Sequence, residues 1–326
     1  MDSQPTVEVR DLWYWYEEGH PPALQGINLT IGQGDFVGIV GQNGSGKTTL
    51  VKHFNGLLKP KRGRVLVEGR DTVGQTVGEL AHHVGYVFQN PDHQIFCSTV
   101  RDEVAFGLRN LGLPEPEVEE RTAEALALFG LTAHAETPPA VLGYGWRRAV
   151  TVASVWAMRP KILILDEPTT GLDWRGTREL MERVADLHQQ GHTIVLITHD
   201  MKLVAEYAQR VLVMHQGLAL AYGPKREVFR EGAILEQAFL TVPPITLLAR
   251  RMAACGMSGD ALTVEEFYEE FTALRRLSRG RETRFFAETD RALSGKAWRI
   301  ERTSLSIEPK NRVSETARKA KHGPEL

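Results

Sequence analysis

The sequence predicts an α/β fold built on a parallel sheet with helices on both faces, and three observations carry that expectation. Residues 36–40, 161–166 and 193–198 are short runs dominated by Ile, Leu and Val, the composition of strands buried on both sides. A charged stretch with helical apolar spacing, 177–188, separates the second run from the third, which is the order of a strand–helix–strand crossover. The first run opens into Gly41-Gln42-Asn43-Gly44-Ser45-Gly46-Lys47-Thr48-Thr49, after which Leu50, Val51 and Phe54 recur at helical spacing.

The remaining elements fall around that frame. Apolar stretches at 7–16 and 27–31, punctuated by Gly19-His20-Pro21-Pro22 and Gly32-Gln33-Gly34, read as a small antiparallel sheet that leads into the first buried strand. Residues 64–67 and 84–88 read as strands, whereas 100–111 and 118–129 carry helical spacing, so a helical subdomain is expected over about 90–158. Past Gly223 the pattern becomes helical pieces around Pro243-Pro244. This divides the chain into a nucleotide-binding domain over 1–240 and a helical extension over 241–274. From Arg275 to 326 the basic residues outnumber the acids and apolar periodicity fades, the composition of a weakly ordered basic tail.

Bulk composition narrows the function. A chain of 326 residues with 42% hydrophobic content can bury a sizeable core. A net charge of −2 supplies no global basic field, so no nucleic-acid partner is expected. Cys97 and Cys255 are far apart and make neither a disulfide framework nor a metal site, which fits a reducing compartment. Apolar runs such as 162–165 fall far short of the roughly 20 residues a spanning helix needs. The N-terminus has early acidic residues and lacks the basic-then-apolar order of a signal peptide. The adjacent His82 and His83 would point to opposite faces of a strand and make no metal site.

Two motifs carry chemistry. Gly41, four residues, then Gly46-Lys47-Thr48 is a phosphate-binding loop: its glycines let backbone N–H groups approach phosphates, Lys47 reaches the β and γ phosphates, and the Thr48 hydroxyl binds Mg²⁺. Ile162-Leu163-Ile164-Leu165-Asp166-Glu167 delivers two carboxylates to the end of a buried strand, where open α/β sheets bind ligands. There Asp166 would hold Mg²⁺ and Glu167 would act as general base toward the attacking water.

The order of these and later motifs resembles the ABC ATPase family over roughly residues 5–270, with ATP and Mg²⁺ as the implied ligands. By that resemblance Gln89 is the Q-loop glutamine that touches Mg²⁺ and water. Gly171-Leu172-Asp173 is the D-loop, His199 the switch histidine at the γ phosphate, and Tyr16 the adenine-stacking aromatic, with Trp15 and Tyr14 as competitors. Phe88-Gln89-Asn90-Pro91-Asp92-His93-Gln94-Ile95-Phe96, then Thr99-Val100 and Asp102-Glu103-Val104-Ala105-Phe106-Gly107, resembles the energy-coupling-factor subgroup, which includes cobalt and nickel importers. The resemblance implies that this segment meets a transmembrane coupling subunit at the cytoplasmic face of the membrane, and through it a substrate-binding membrane protein. Leu262-Thr263-Val264-Glu265-Glu266-Phe267 resembles the subgroup's extension, where ATPase subunits touch.

One stretch departs from the family. Where the signature reads Leu-Ser-Gly-Gly-Gln, this chain has Leu142-Gly143-Tyr144-Gly145-Trp146-Arg147-Arg148. In the family this helix start binds the γ phosphate of a partner's ATP. Gly143 and Gly145 keep N–H groups, but the serine hydroxyl is gone and Trp146 replaces a polar residue. The expectation is a heterodimer with a second ATPase that supplies an intact signature, in an importer of vitamins or transition-metal ions. The alternative is a soluble ABC ATPase of DNA maintenance or translation. Against it, Lys47 and Asp166 sit in one compact cassette with neither an intervening coiled coil nor a second cassette.

Overall fold

The computed structural model of the chain describes residues 5–278, organised around two sheets. The smaller sheet is antiparallel, in the order β2 (Leu24–Ile31), β1 (Val7–Tyr14), β4 (Arg62–Val67), β5 (Arg70–Asp71). In β1 the buried residues are Val7, Val9, Leu12 and Tyr14. Their spacing jumps from two to three because Asp11 has a positive φ of 48° and the register shifts there against both neighbours. The strand ends at Tyr14, two residues short of the expected 16, which frees Tyr16 from the sheet.

The larger sheet has the order β10 (Leu218–Pro224), β9 (Arg210–His215), β3 (Phe36–Val40), β8 (Thr193–Ile197), β7 (Ile162–Asp166), β6 (Val84–Val87). The five strands from β9 to β6 are parallel and β10 is an antiparallel edge. Alternate residues of the central strands feed two cores. Phe36, Leu163, Leu165, Ile194 and Leu196 point to one side, among the helices. Val37, Ile39, Ile162, Ile164, Val195 and Ile197 point to the other, where α1 (Lys47–Phe54) and the small sheet cover them. Each such fully buried side chain contributes roughly 1.5–3 kcal/mol, so these strands are placed mainly by burial on both faces.

The helical subdomain comprises α3 (Val100–Asn110), α4 (Glu115–Leu128) and α5 (Tyr144–Ala157); the short α2 (Val77–Ala81) precedes β6, its start fixed by a Thr76–Glu79 capping box. Helices α6 (Trp174–Gln189) and α7 (Met201–Tyr207) flank β8. The C-terminal pieces are α8 (Lys225–Arg230), α9 (Gly232–Gln237), α10 (Pro244–Arg251) and α11 (Val264–Ser278).

Three differences from the sequence expectation stand out. Strands β9 and β10 are joined by Gln216-Gly217, both at positive φ, a hairpin turn that the sequence reading passed over. His82 and His83 precede β6 instead of lying on a strand, and His83 Nδ1 pairs with Glu68 at 2.5 Å. Helix α11 runs four residues past 274, and the rest of the expected basic tail, 279–326, lies outside the described residues.

Candidate active site

The C-terminal ends of β3, β7 and β8 meet above the N-terminus of α1, and a cavity of about 460 Å³ opens there. It is lined by Tyr16, Ala23, residues 43–49, Gln89, Asp166, Glu167 and Ile197. A second cavity of about 670 Å³ shares Asn43, Gln89 and Glu167 with it and adds Gly41, Gln42, Thr170, His199 and Phe239-Leu240-Thr241. A groove of about 360 Å³ between Thr6, Glu68, Lys161 and His192 lies at the opposite ends of the strands and shares none of these residues.

The loop is shaped for close approach. Gly41 has φ +152°, and a Cβ there would stand 2.2 Å from the Met214 carbonyl oxygen and 2.7 Å from Ser45 Oγ, so only glycine fits. Gly46 is the N-cap of α1 and no side chain caps that helix, which leaves first-turn N–H groups and the positive end of the dipole facing the cavity. Ser45 Oγ is buried with no protein partner.

The charged groups converge on the same space. Lys47, 7% exposed, donates through Nζ to the carbonyls of Gly41 at 2.7 Å and Gln42 at 2.8 Å. Burial pushes its ammonium below the ordinary lysine value, with Glu167 and Asp166 working in the opposite direction. Asp166 is buried, and its Oδ2 accepts from Thr48 Oγ1 at 2.9 Å and from the Tyr86 hydroxyl at 2.7 Å. Glu167 is also buried and sits at a positive φ of 46°, its N–H held by the Ile197 carbonyl at 2.9 Å. That strained turn aims the carboxylate toward His199 Nδ1, 2.9 Å from Oε2 and 3.0 Å from Oε1. A carboxylate only accepts, so in this arrangement Nδ1 carries the proton.

The three aromatics that the sequence offers differ in their surroundings. Tyr14 is buried, edge-on to His53 at 4.9 Å, while Tyr16 is 60% exposed, lies edge-on to Tyr14 at 5.1 Å, and pairs its hydroxyl with Thr49 Oγ1 at 3.0 Å. Tyr16 is the member of the trio that lines the cavity beside the loop.

Other sequence-selected residues lie elsewhere on the chain. Gly143 is the N-cap of α5 with no side-chain cap bond, and neither it nor Gly145 lines the cavities of this chain's own phosphate loop. Asp173 caps α6, accepting from Gly176 N at 2.7 Å. Trp146 is 42% exposed and packs against His134 with the rings tilted, centroids 4.9 Å apart. Sequence reasoning missed Tyr86, whose one signal is a hydroxyl inside an otherwise apolar strand, and Phe239, a non-glycine residue at φ 55° that reaches the cavity from the C-terminal region.

The donors around Thr48 and Asp166 are all oxygen, the hard set that suits Mg²⁺. The orphaned Ser45 hydroxyl and the uncapped start of α1 fit a polyphosphate.

The ABC transporter family profile matches residues 24–170. An ABC transporter ATP-binding protein of Caldanaerobacter subterraneus subsp. tengcongensis is 49% identical over 78% of this chain, which spans 45% of that relative's length. The energy-coupling factor transporter ATP-binding protein of Methanothermobacter thermautotrophicus is 41% identical over 82% of this chain and 87% of its own. Among solved structures, cbiO1 of Clostridium perfringens, part of the cbiONQ ABC transporter complex, superposes with a TM-score of 0.65 at 38% identity, covering 76% of this chain and 99% of the other. An ATP-binding cassette solved as a dimer in a post-hydrolysis state with ADP and Pi superposes with a TM-score of 0.61 at 28% identity, covering 67% of this chain and 98% of the other. Sequence, fold and site geometry thus converge: the chain belongs to the ATP-binding proteins of ABC transporters, in their energy-coupling factor branch, and is an ATPase.

Proposed function

We propose that this chain powers an energy-coupling-factor importer by hydrolysing ATP at the cavity over α1, working beside a second ATPase and a membrane coupling subunit. The observation that carries the proposal is the convergence of Lys47, Thr48, Asp166, Glu167 and His199, from α1, the end of β7 and the end of β8, on two adjoining cavities at the strand ends. Lys47 leaves its two loop carbonyls to neutralise the β and γ phosphates, and the loop and α1 N–H groups hold the phosphate oxygens. Thr48, Asp166 and Gln89 would hold Mg²⁺, which when bound neutralises charge developing on the phosphates. Glu167 accepts the proton of the attacking water; His199 fixes that carboxylate through Nδ1 and donates to the γ phosphate through Nε2 once that nitrogen also carries a proton. The Tyr16 ring stacks on adenine.

Gly143, Gly145 and Asp173 serve the other chain's ATP in a head-to-tail pair, which agrees with their position outside the cavities of this loop. Losing the signature hydroxyl removes one hydrogen bond to a charged group, roughly 10- to 100-fold in rate, so a second ATPase with an intact signature is the economical partner. Phe96 and Phe106, exposed and packed edge to face at 4.6 Å, offer the membrane subunit an apolar contact just after Gln89. Among the described residues no helix is long and apolar enough to cross a membrane, which agrees with a peripheral subunit at the cytoplasmic face. The cargo is a vitamin or a transition-metal ion held by membrane subunits.

The deciding experiment is ATP hydrolysis by the purified chain alone, then with a candidate second ATPase and the coupling subunit, each with wild type and Glu167→Gln. Turnover that needs the partner and disappears with Glu167→Gln is the expected result; full turnover by the chain alone overturns the heterodimer.

A further inference from the structure

Two residues of the altered signature helix do more than the signature comparison suggests. Arg148 is completely buried. Its Nη1 donates to the Phe88 carbonyl at 2.7 Å, and its Nη2 donates to the Gln89 carbonyl and to the Tyr144 hydroxyl at 3.2 Å. A buried guanidinium is costly, and these three acceptors are two main-chain carbonyls and a phenol, with no carboxylate among them. Burial lowers the group's proton affinity, offset by Tyr144 and by the nearby Asp166. A second clip holds the same stretch to the same helix: Gln94 Oε1 accepts from Phe88 N at 3.0 Å while Gln94 Nε2 donates to the Thr151 carbonyl, also at 3.0 Å. The main chain leading into Gln89 is therefore fastened to α5.

Tyr144, one turn before Arg148, extends the connection. Its ring lies against Gly171, where φ is +80° and a Cβ would stand only 2.8 Å from the ring edge. The aromatic ring fills space beside the turn after Glu167 that a glycine at 144 would leave open.

We infer that Tyr144 and Arg148 form a strut that fixes the Gln89 main chain relative to the turn at Gly171, making both positioning residues for ATP hydrolysis. The inference rests on the proposed role of Gln89 in the site. In this chain the tyrosine at 144 is a working part of the connection, and a shift at the start of α5 moves Gln89 and the Gly171 turn together.

The test is ATP turnover of the assembled complex with Arg148→Lys, Tyr144→Phe, Gln89→Ala and the Arg148→Lys/Gln89→Ala pair, alongside thermal midpoints. Lysine keeps the charge but lacks the planar fork that spans two carbonyls, so kcat is expected to fall roughly 10- to 100-fold with KM for ATP within about threefold. Tyr144→Phe keeps the ring and removes one bond, for a fall of about threefold. If Arg148 acts through Gln89, the pair loses little more than Gln89→Ala alone. Multiplying losses, a raised KM with unchanged kcat, or a lowered midpoint with normal kcat each overturn the strut. Wild-type turnover by Gln89→Ala overturns the reading of Gln89 and the strut's purpose with it. Should Arg148→Lys fail to fold, Tyr144→Phe and its pair with Gln89→Ala decide the matter by the same non-additivity.

Discussion

Helices α1 and α5 both begin with a glycine N-cap and no side-chain cap, yet their surroundings differ. Around α1 stand a buried lysine, two buried carboxylates and a loop whose Gly41 admits no Cβ. Around the first turn of α5 stand an exposed Gly143, an exposed Gly145 and a half-exposed Trp146. A bare helix start is only a weak anion site, and charge and general-base chemistry must be added from other elements. This chain has them at α1, whereas the cation in the first turn of α5, Arg147, is engaged by Asp92 and the Leu142 carbonyl; on the proposed reading its own loop is therefore the better half of any ATP sandwich it joins.

The strongest way to break that comparison is to disable the α1 half. Glu167→Gln keeps the shape of the buried turn but removes the base, and turnover of the assembled complex is expected to fall roughly 10³-fold with ATP binding retained. A loss no larger than that from the same change in the second ATPase would mean the two sites are equivalent and the comparison is wrong.

The α1 half also carries a response to acid. His53, on the buried side of α1, is fully enclosed; burial depresses its ring from 6.5 to about 4 even though Nδ1 meets the Thr49 carbonyl at 2.8 Å. The unfolded chain therefore takes the proton first. The stability this provides is complete above pH 6.5 and is lost as pH falls through 4, about 3 kcal/mol in all. Chemical denaturation of the wild type and His53→Leu at several pH values checks this. The variant should show a shallower loss between pH 6.5 and 4, and parallel curves would remove His53 from the account.

Legibility in the sequence follows the same division. The phosphate loop and the pair Asp166-Glu167 are readable because each is one contiguous segment whose shape is set locally, strand then turn then helix. Tyr86 is 80 residues from the Asp166 it bonds, and Arg148 is 60 from Phe88; contacts across such separations exist only after β6, β7 and α5 have packed. The hairpin β9–β10 carried a local sign in Gln216-Gly217, but the turn pair is not Asn-Gly. The ranking of Tyr14, Trp15 and Tyr16 needed the bulge at Asp11 and the end of β1, which decide which ring faces inward.

A sharper form of the comparison repairs α5 instead of damaging α1. Gly143→Ser with Trp146→Gln restores the family hydroxyl and polar side chain at an exposed helix start, where neither change disturbs packing in the core. Turnover at the partner's site is expected to rise roughly 10-fold, the worth of one hydrogen bond to a charged oxygen. It is measured with the partner's catalytic glutamate intact and Glu167→Gln in this chain. No rise would mean that the α5 half is already as good as it can be.

The smallest expected effect concerns the outer edge of the α1 half. Tyr16 touches the protein through one hydroxyl bond to Thr49 and an edge contact with Tyr14, and its ring is otherwise open to the cavity. Tyr16→Ala should weaken ATP binding about fivefold to tenfold, since base stacking on an aromatic is worth roughly 1–3 kcal/mol and solvent recovers part of it. Tyr16→Phe keeps the ring and gives up only an exposed hydrogen bond, so a change of about twofold or less is expected. Fluorescent-nucleotide titration of both variants beside Trp15→Ala separates the roles. A larger loss from Trp15→Ala would move the adenine to a different face of the loop, and the phosphate end of the site would stand unchanged.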